Sequence, residues 1–190
     1  IQKDLANFIF QKITPFAEYG FNKSHAAAYA LIAYQTAFLK TYYKEDFIAA
    51  TMSTELTNTS KLREFVEELK RLKIKIIRPS INKCHAEFKS EKNIIYYGLG
   101  AIKNVGFEAI TNIVNERKKN GIFKNINDFI KRVDPKDVNK LQLEGLVKSG
   151  SLDCLDKNRK KIFSSIPKII SSIKNTYDDK INKQKNLFED

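Results

Sequence analysis

Apolar residues recur at helical spacing along most of this chain, and polar or glycine-containing breaks divide them into segments. Leu5, Phe8, Ile9, Ile13 and Phe16 predict a helical start that Pro15 interrupts. Gly20 and Asn22 break that pattern, and Ser24 is the expected N-cap of a long helix reaching Lys40. Along it Ala27, Leu31, Tyr34 and Phe38 share an apolar face, while His25, Tyr29, Thr36 and Lys40 form a second stripe. EDFIAATMSTEL predicts another short helix, and the polar residues 57–60 mark a boundary. Beyond it Leu62, Phe65, Val66, Leu69 and Leu72 occupy one helical face, and the β-branched residues before Pro79 predict a strand. Residues 86–90 and 93–97 straddle Glu91 and Lys92 and predict a short β-hairpin.

The stretch YYGLGAIKNVGFEAITNIVNERKK carries a more specific pattern. A short helix over residues 99–103 is expected to meet a tight turn at Asn104, Val105 and Gly106, and a longer helix with an Ile110, Ile113 and Val114 stripe follows from Phe107. This is the pattern of a helix-hairpin-helix motif. Its turn offers backbone N–H groups and a helix N-terminus to a DNA phosphate, assisted here by Lys103. Asn104 stands where the motif usually has glycine, and asparagine tolerates the left-handed conformation better than most residues. Contacts of this kind go to the backbone and carry little sequence preference. Gly98 and Gly100 do not form a dinucleotide-binding loop, because no long preceding strand and crossover unit accompany them.

A more degenerate copy follows. Leu141, Leu143, Leu146 and Val147 lie on a predicted helix that breaks at Ser149, Gly150 and Ser151, then resumes with the basic Arg159, Lys160 and Lys161.

Net charge modifies this picture. The chain of 190 residues carries +12, which favours polyanionic partners over membranes. Only +1 of that charge lies in residues 1–50, so the main basic surface lies later. No run of about 18 uncharged apolar residues predicts a membrane span. Cys84, Cys154, His25 and His85 have no metal-site spacing, and both cysteines read as packing thiols. The chain begins with Ile1, carries no signal peptide and reads as an excised, cytoplasmic fragment. Asp134 with Asp137, and Asp178 with Asp179, lack the strand context expected of a catalytic carboxylate pair.

At the start of the long helix, Lys23, Ser24 and His25 can cradle phosphate at the positive end of the helix dipole, and Tyr29 one turn on can stack on a base. Near the other end, Gln184, Leu187 and Phe188 follow a lysine-rich segment; the two apolar residues suit a groove while the amide sets the register.

The string YGFNKSHAAAYALIAYQTAFLK closely resembles the end of the fingers domain of the family C replicative DNA polymerases of bacteria, and similarity continues to the tail. The resemblance implies a mainly α fold: the C-terminal part of the fingers over residues 1–56, a tandem helix-hairpin-helix domain with a small β-hairpin over 57–178, and a tail with a clamp-binding motif over 179–190. It implies that Lys23, Ser24, His25 and Tyr29 lie near the incoming dNTP. Duplex DNA would meet Lys103, Asn104, Val105, Gly106, Ser149, Gly150, Arg159 and Lys160. Gln184, Leu187 and Phe188 would bind the beta sliding clamp, with Lys185 departing from the leucine often found second in that motif. Other replicase subunits are further expected partners. The parent is expected to be a DNA-directed DNA polymerase whose Mg ions are held upstream in the palm, so this fragment alone should lack cofactors and activity. The competing reading is a free-standing, non-enzymatic helix-hairpin-helix DNA-binding protein; an RNA-binding structural protein is a third.

Overall fold

The computed structural model describes residues 2–17 and 22–186, without the side chains of residues 17 and 183–186. The chain divides into two compact units, residues 1–44 and 45–190.

The first unit consists of α1 (Lys3–Ala17) and α2 (Lys23–Tyr42). Pro15 does not stop α1, because it lies in the last turn and leaves most of the ladder intact. The N-cap of α2 is Asn22, not Ser24: Asn22 Oδ1 accepts from the His25 N–H at 3.0 Å, which places Ser24 inside the first turn. No residue of α2 is buried, and its large apolar side chains, including Leu31, Tyr34 and Phe38, are all exposed.

The second unit begins with α3 (Lys44–Thr54) and α4 (Thr59–Arg71). The division into units therefore precedes the boundary expected at residue 56. The reason is packing: Ile48, Ala49 and Met52 of α3 share a core with Leu62 and Leu69 of α4 and with Ile74, Phe88 and Ile95. Burying each large aliphatic side chain contributes roughly 1.5–3 kcal/mol, ample to hold α3 there. Residues 57–60 are a helix start, with Asn58 as the cap of α4. Leu72 is the C-cap of α4 and stays exposed.

The predicted β-hairpin forms as β2 (Lys89–Glu91) and β3 (Ile94–Tyr96), antiparallel, with Ser90 opposite Ile95. Its turn is Lys92 and Asn93, both at positive φ, one residue later than expected because Glu91 is the last strand residue. A third strand, β1 (Lys75–Ile77), pairs parallel with β3, giving the order β1-β3-β2.

After β3 come a 3-10 turn (Leu99–Ala101), α5 (Phe107–Asn120), α6 (Ile126–Arg132), a second 3-10 turn (Pro135–Asp137), α7 (Lys140–Lys148) and α8 (Arg159–Asn186). A second core joins these elements through Ile110, Ile113, Phe129, Leu143, Leu146 and Ile166, among others. Leu141 is exposed and Gln142 is buried in its place. Cys84 packs as expected, whereas Cys154 is exposed and only weakly tied, its Sγ lying 3.8 Å from the Ser151 carbonyl. Arg132 braces the α5–α6 connection by pairing with Glu116 and Asp128 while its guanidinium stacks 4.4 Å above the Phe123 ring. The expected separate tail is helical through Asn186, and Leu187 and Phe188 lie outside the described residues.

Candidate nucleic-acid interface

The first hairpin is held from below by hydrogen bonds and from within by one side chain. Leu99 N–H donates to the His85 carbonyl at 2.8 Å and Gly100 N–H to that of Ala86 at 2.9 Å, fixing the 3-10 turn on residues 85–86. This helix is shorter than the expected 99–103 span. Asn104 takes φ +65°, the left-handed conformation that its short polar side chain tolerates. Val105 is buried and anchors the turn, whereas Lys103, Asn104 and Gly106 are exposed.

Helix starts elsewhere in the chain reveal what is special about this one. Asn22, Asn58, Asn125, Asn139 and Asn158 each accept, through Oδ1, the backbone N–H three residues on, at 2.9–3.3 Å. These contacts satisfy one orphan donor at the starts of α2, α4, α6, α7 and α8. Helix α5 instead begins under Gly106, which has no side chain to accept. Gly106 has φ −72° and ψ 132°, ordinary extended values, and a methyl carbon there would come no closer than 3.9 Å to Ala109 Cβ. Neither backbone conformation nor internal packing requires glycine at this position. The arrangement leaves the first N–H groups of α5 open to an external acceptor at the positive end of the helix. Glu108, in that first turn, opposes an anion and favours the helix.

The second hairpin is closed. Ser149, Gly150 and Ser151 N–H groups donate to the carbonyls of Gly145, Val147 and Leu146 at 2.9–3.0 Å. Gly150 is buried at φ +79°, and the Arg159 guanidinium lies directly against it. Arg159 is held in turn by Asp153, at 2.7 Å from Nε to Oδ1 and 2.6 Å from Nη2 to Oδ2. The Arg159 partnership lowers the pKa of the Asp153 carboxyl. Lys160 is exposed beside this pair. Thus Arg159 and Lys160 offer side chains to a polyanion, whereas Ser149 and Gly150 are covered.

The two hairpins are coupled through a residue whose role was not evident in the sequence. A methyl carbon on Gly145 of α7 would sit 2.7 Å from the Lys103 carbonyl oxygen and 3.1 Å from Val105 Cγ2. The signal was a glycine inside a helix, where it costs about 1 kcal/mol relative to alanine unless close approach demands it. Arg117 was also missed: it is buried in α5 and donates to the Ile81 and Cys84 carbonyls at 2.5 and 2.7 Å.

In the first unit, the His25 and Tyr29 rings lie 4.3 Å apart, tilted by 31°, with Lys23 and Ser24 exposed in the same turn. The described residues do not fit a two-metal carboxylate site. Asp137 accepts from Asn112 Nδ2 at 2.8 Å, Asp134 accepts from the Lys136 N–H at 3.0 Å, and no group of three or more His, Cys, Asp or Glu is placed to hold a metal. No helix among the described residues is long and apolar enough to cross a membrane.

Residues 73–162 match the family described as "Helix-hairpin-helix motif". The DNA polymerase III subunit alpha of Borreliella burgdorferi is 45% identical over 98% of this chain, which covers 16% of that relative. The corresponding subunit of Caulobacter vibrioides is 41% identical over 99% of the chain, again 16% of the relative. That of Helicobacter pylori is 46% identical over 83% of the chain and 14% of the relative. The chain therefore spans a small part of the length of the curated relatives that it matches. With similarity running across both compact units and the hairpin motif in the second, the chain belongs to the DNA polymerase III alpha-subunit family, as a segment of it.

Proposed function

We propose that this chain serves a template-directed, DNA-directed DNA polymerase as the part that grips newly made duplex DNA, and that the first hairpin is its principal phosphate contact. The observation carrying this reading is the α5 start, which lacks the asparagine cap found at five other helices and has instead a glycine with no internal reason to be one. Lys103, Asn104, Val105 and Gly106 form that contact, while Arg159 and Lys160 add charge from the second hairpin. Because its contacts are to phosphate, binding should be sequence-tolerant and should weaken steeply with salt.

Gly106→Asp tests the claim. Aspartate is a strong N-cap and a favourable charge at a helix start, so stability should hold or rise by about 0.3–1 kcal/mol. The same carboxylate would occupy the phosphate position, and duplex affinity should fall at least roughly tenfold, equivalent to about 1.4 kcal/mol. Unchanged duplex affinity would refute the hairpin contact.

Under the same proposal, Lys23, Ser24, His25 and Tyr29 border the incoming dNTP when joined to the rest of the polymerase, which supplies the Mg-binding carboxylates. The many exposed apolar residues of α1 and α2 suit burial against such a body. Replacing His25 and Tyr29 by Ala in the intact polymerase should raise the nucleotide KM or lower turnover in steady-state kinetics. No change in either would remove the site. The segment alone is proposed to incorporate no nucleotide; primer extension by the isolated chain would contradict this. Gln184, Leu187 and Phe188 are proposed to dock on the beta sliding clamp, within an assembly of other replicase subunits in the cytoplasm.

A further inference from the structure

A groove beside the first hairpin is walled by residues 85–87 and 89 on one side and by Phe107, Thr111, Asn115 and Lys118 on the other. The latter four form a single stripe of α5, whose opposite side is buried through Ile110, Ile113 and Arg117. The 85–86 wall also carries the hairpin's 3-10 turn, through the hydrogen bonds from Leu99 and Gly100. Groove and hairpin therefore share one rigid frame.

The groove is cationic. Lys89 and Lys118 form no ion pair among the described residues, and Glu87, the one carboxylate lining the groove, forms none either. His85 is half-buried, and its pKa is held down to about 4, first by burial and then by the charges of Arg117, Lys89 and Lys118. Arg117 contributes its field while its donors serve the Ile81 and Cys84 carbonyls. Phe107 and Lys118 are eleven residues apart on one helix, about 16 Å at 1.5 Å per residue. A DNA strand rising about 3.4 Å per nucleotide covers that distance in roughly five steps.

We propose that this groove is a second backbone-binding surface for the duplex gripped by the first hairpin, with Lys89 and Lys118 pairing a further phosphodiester and Asn115 donating to it. The inference rests on the hairpin reading and extends its footprint along α5. The partner is duplex DNA because the groove adjoins the hairpin contact and offers unpaired ammonium groups for a backbone.

The test uses the 190-residue chain and a short duplex in phosphate-free buffer. NMR titration of His85, separated from the other histidine with His25→Gln, should give a pKa raised by roughly one unit on duplex binding, because a nearby anion favours the imidazolium. Inorganic phosphate at the same phosphate concentration should leave it unmoved. Lys89→Ala and Lys118→Ala should each lower the slope of log affinity against log salt by about one. If both slopes match wild type and His85 does not move, while Gly106→Asp still lowers duplex affinity at least roughly tenfold, the groove is refuted and the hairpin stands. An equal response to inorganic phosphate refutes the duplex claim in favour of a general anion site. Failure of the wild-type chain to bind duplex refutes both.

Discussion

Replacing Gly145 by alanine sets close packing against helix propensity. Inside a helix alanine ordinarily stabilises by about 1 kcal/mol relative to glycine. In α7 the added carbon would meet the Lys103 carbonyl oxygen at 2.7 Å, Val105 Cγ2 at 3.1 Å and Ile102 Cγ2 at 3.5 Å. Nonbonded carbons sit best about 3.5–4.0 Å apart, so α7 and the hairpin must separate by several tenths of an ångström. The first clash is with backbone, which has no rotamer to offer. Overpacking costs about 1–3 kcal/mol, and a 2.7 Å clash with backbone belongs in the upper part of that range, about 2–3 kcal/mol, leaving a net loss of about 1–2 kcal/mol once the propensity gain of about 1 kcal/mol is subtracted. At roughly 2–4 °C per kcal/mol for a domain of this size, calorimetry should find the melting temperature lowered by about 2–8 °C. Duplex affinity should fall as well, by roughly fivefold for each 1 kcal/mol by which the displaced turn from Lys103 to Val105 loses its phosphate geometry. A melting temperature at or above wild type would refute the coupling, since it would mean that α7 and the first hairpin separate without cost.

Two further outcomes follow from the same geometry. Between pH 6.5 and about pH 4 the unfolded chain binds a proton at His85 that the folded chain refuses, so this group makes stability fall on acidification across that window. With the shift discounted for solvent screening at a half-exposed site, the effect is of order 1 kcal/mol; denaturant titrations at pH 7 and pH 4.5 should find His85→Gln losing that much less than wild type, and equal losses would contradict it. Replacing Gln184, Leu187 and Phe188 together by Ala in the full polymerase should abolish clamp association by surface plasmon resonance, and retention of wild-type affinity would dismiss the motif.

The parts of the fold legible in the sequence are those set by neighbours in the chain. The stripe Ile110, Ile113 and Val114 is buried on α5 as its spacing implies, and the Asn104 turn takes its left-handed residue where a glycine was missing. The strands flanking Lys92 pair as alternation and turn chemistry indicate. What escaped depends on distant chain. Lys75–Ile77 is too short to reveal that it will pair parallel with β3, and the short helix expected from EDFIAATMSTEL gave no sign that its apolar face packs on Leu62, Leu69 and Phe88 rather than with the residues before it. The Ser24 cap failed for a local reason: Asn22 is an equally able cap two residues earlier, and periodicity does not choose between them. Hairpin exposure was likewise invisible, because the polar run from Ser149 to Ser151 reads as accessible although Arg159 covers its glycine.

That last contrast explains why two related hairpins in one domain need not do the same work. Both end a short helix and begin a longer one, and both leave backbone donors to satisfy. The second spends its turn donors on α7 carbonyls, caps α8 with Asn158 and holds Arg159 over Gly150 with Asp153, so its turn backbone is complete within the chain and only side-chain charge is left to offer. The first buries only Val105, leaves Gly106 without an acceptor and has Gly145 of its neighbour pressed against its carbonyl. A closed hairpin is stiff, and stiffness in α7 is what an open turn needs from the surface it rests on. The Val105 N–H is spent on the Ile102 carbonyl at 3.0 Å, but the backbone donors of Asn104, Gly106 and Phe107 can wait in place for a phosphate because the turn beneath them is closed without one.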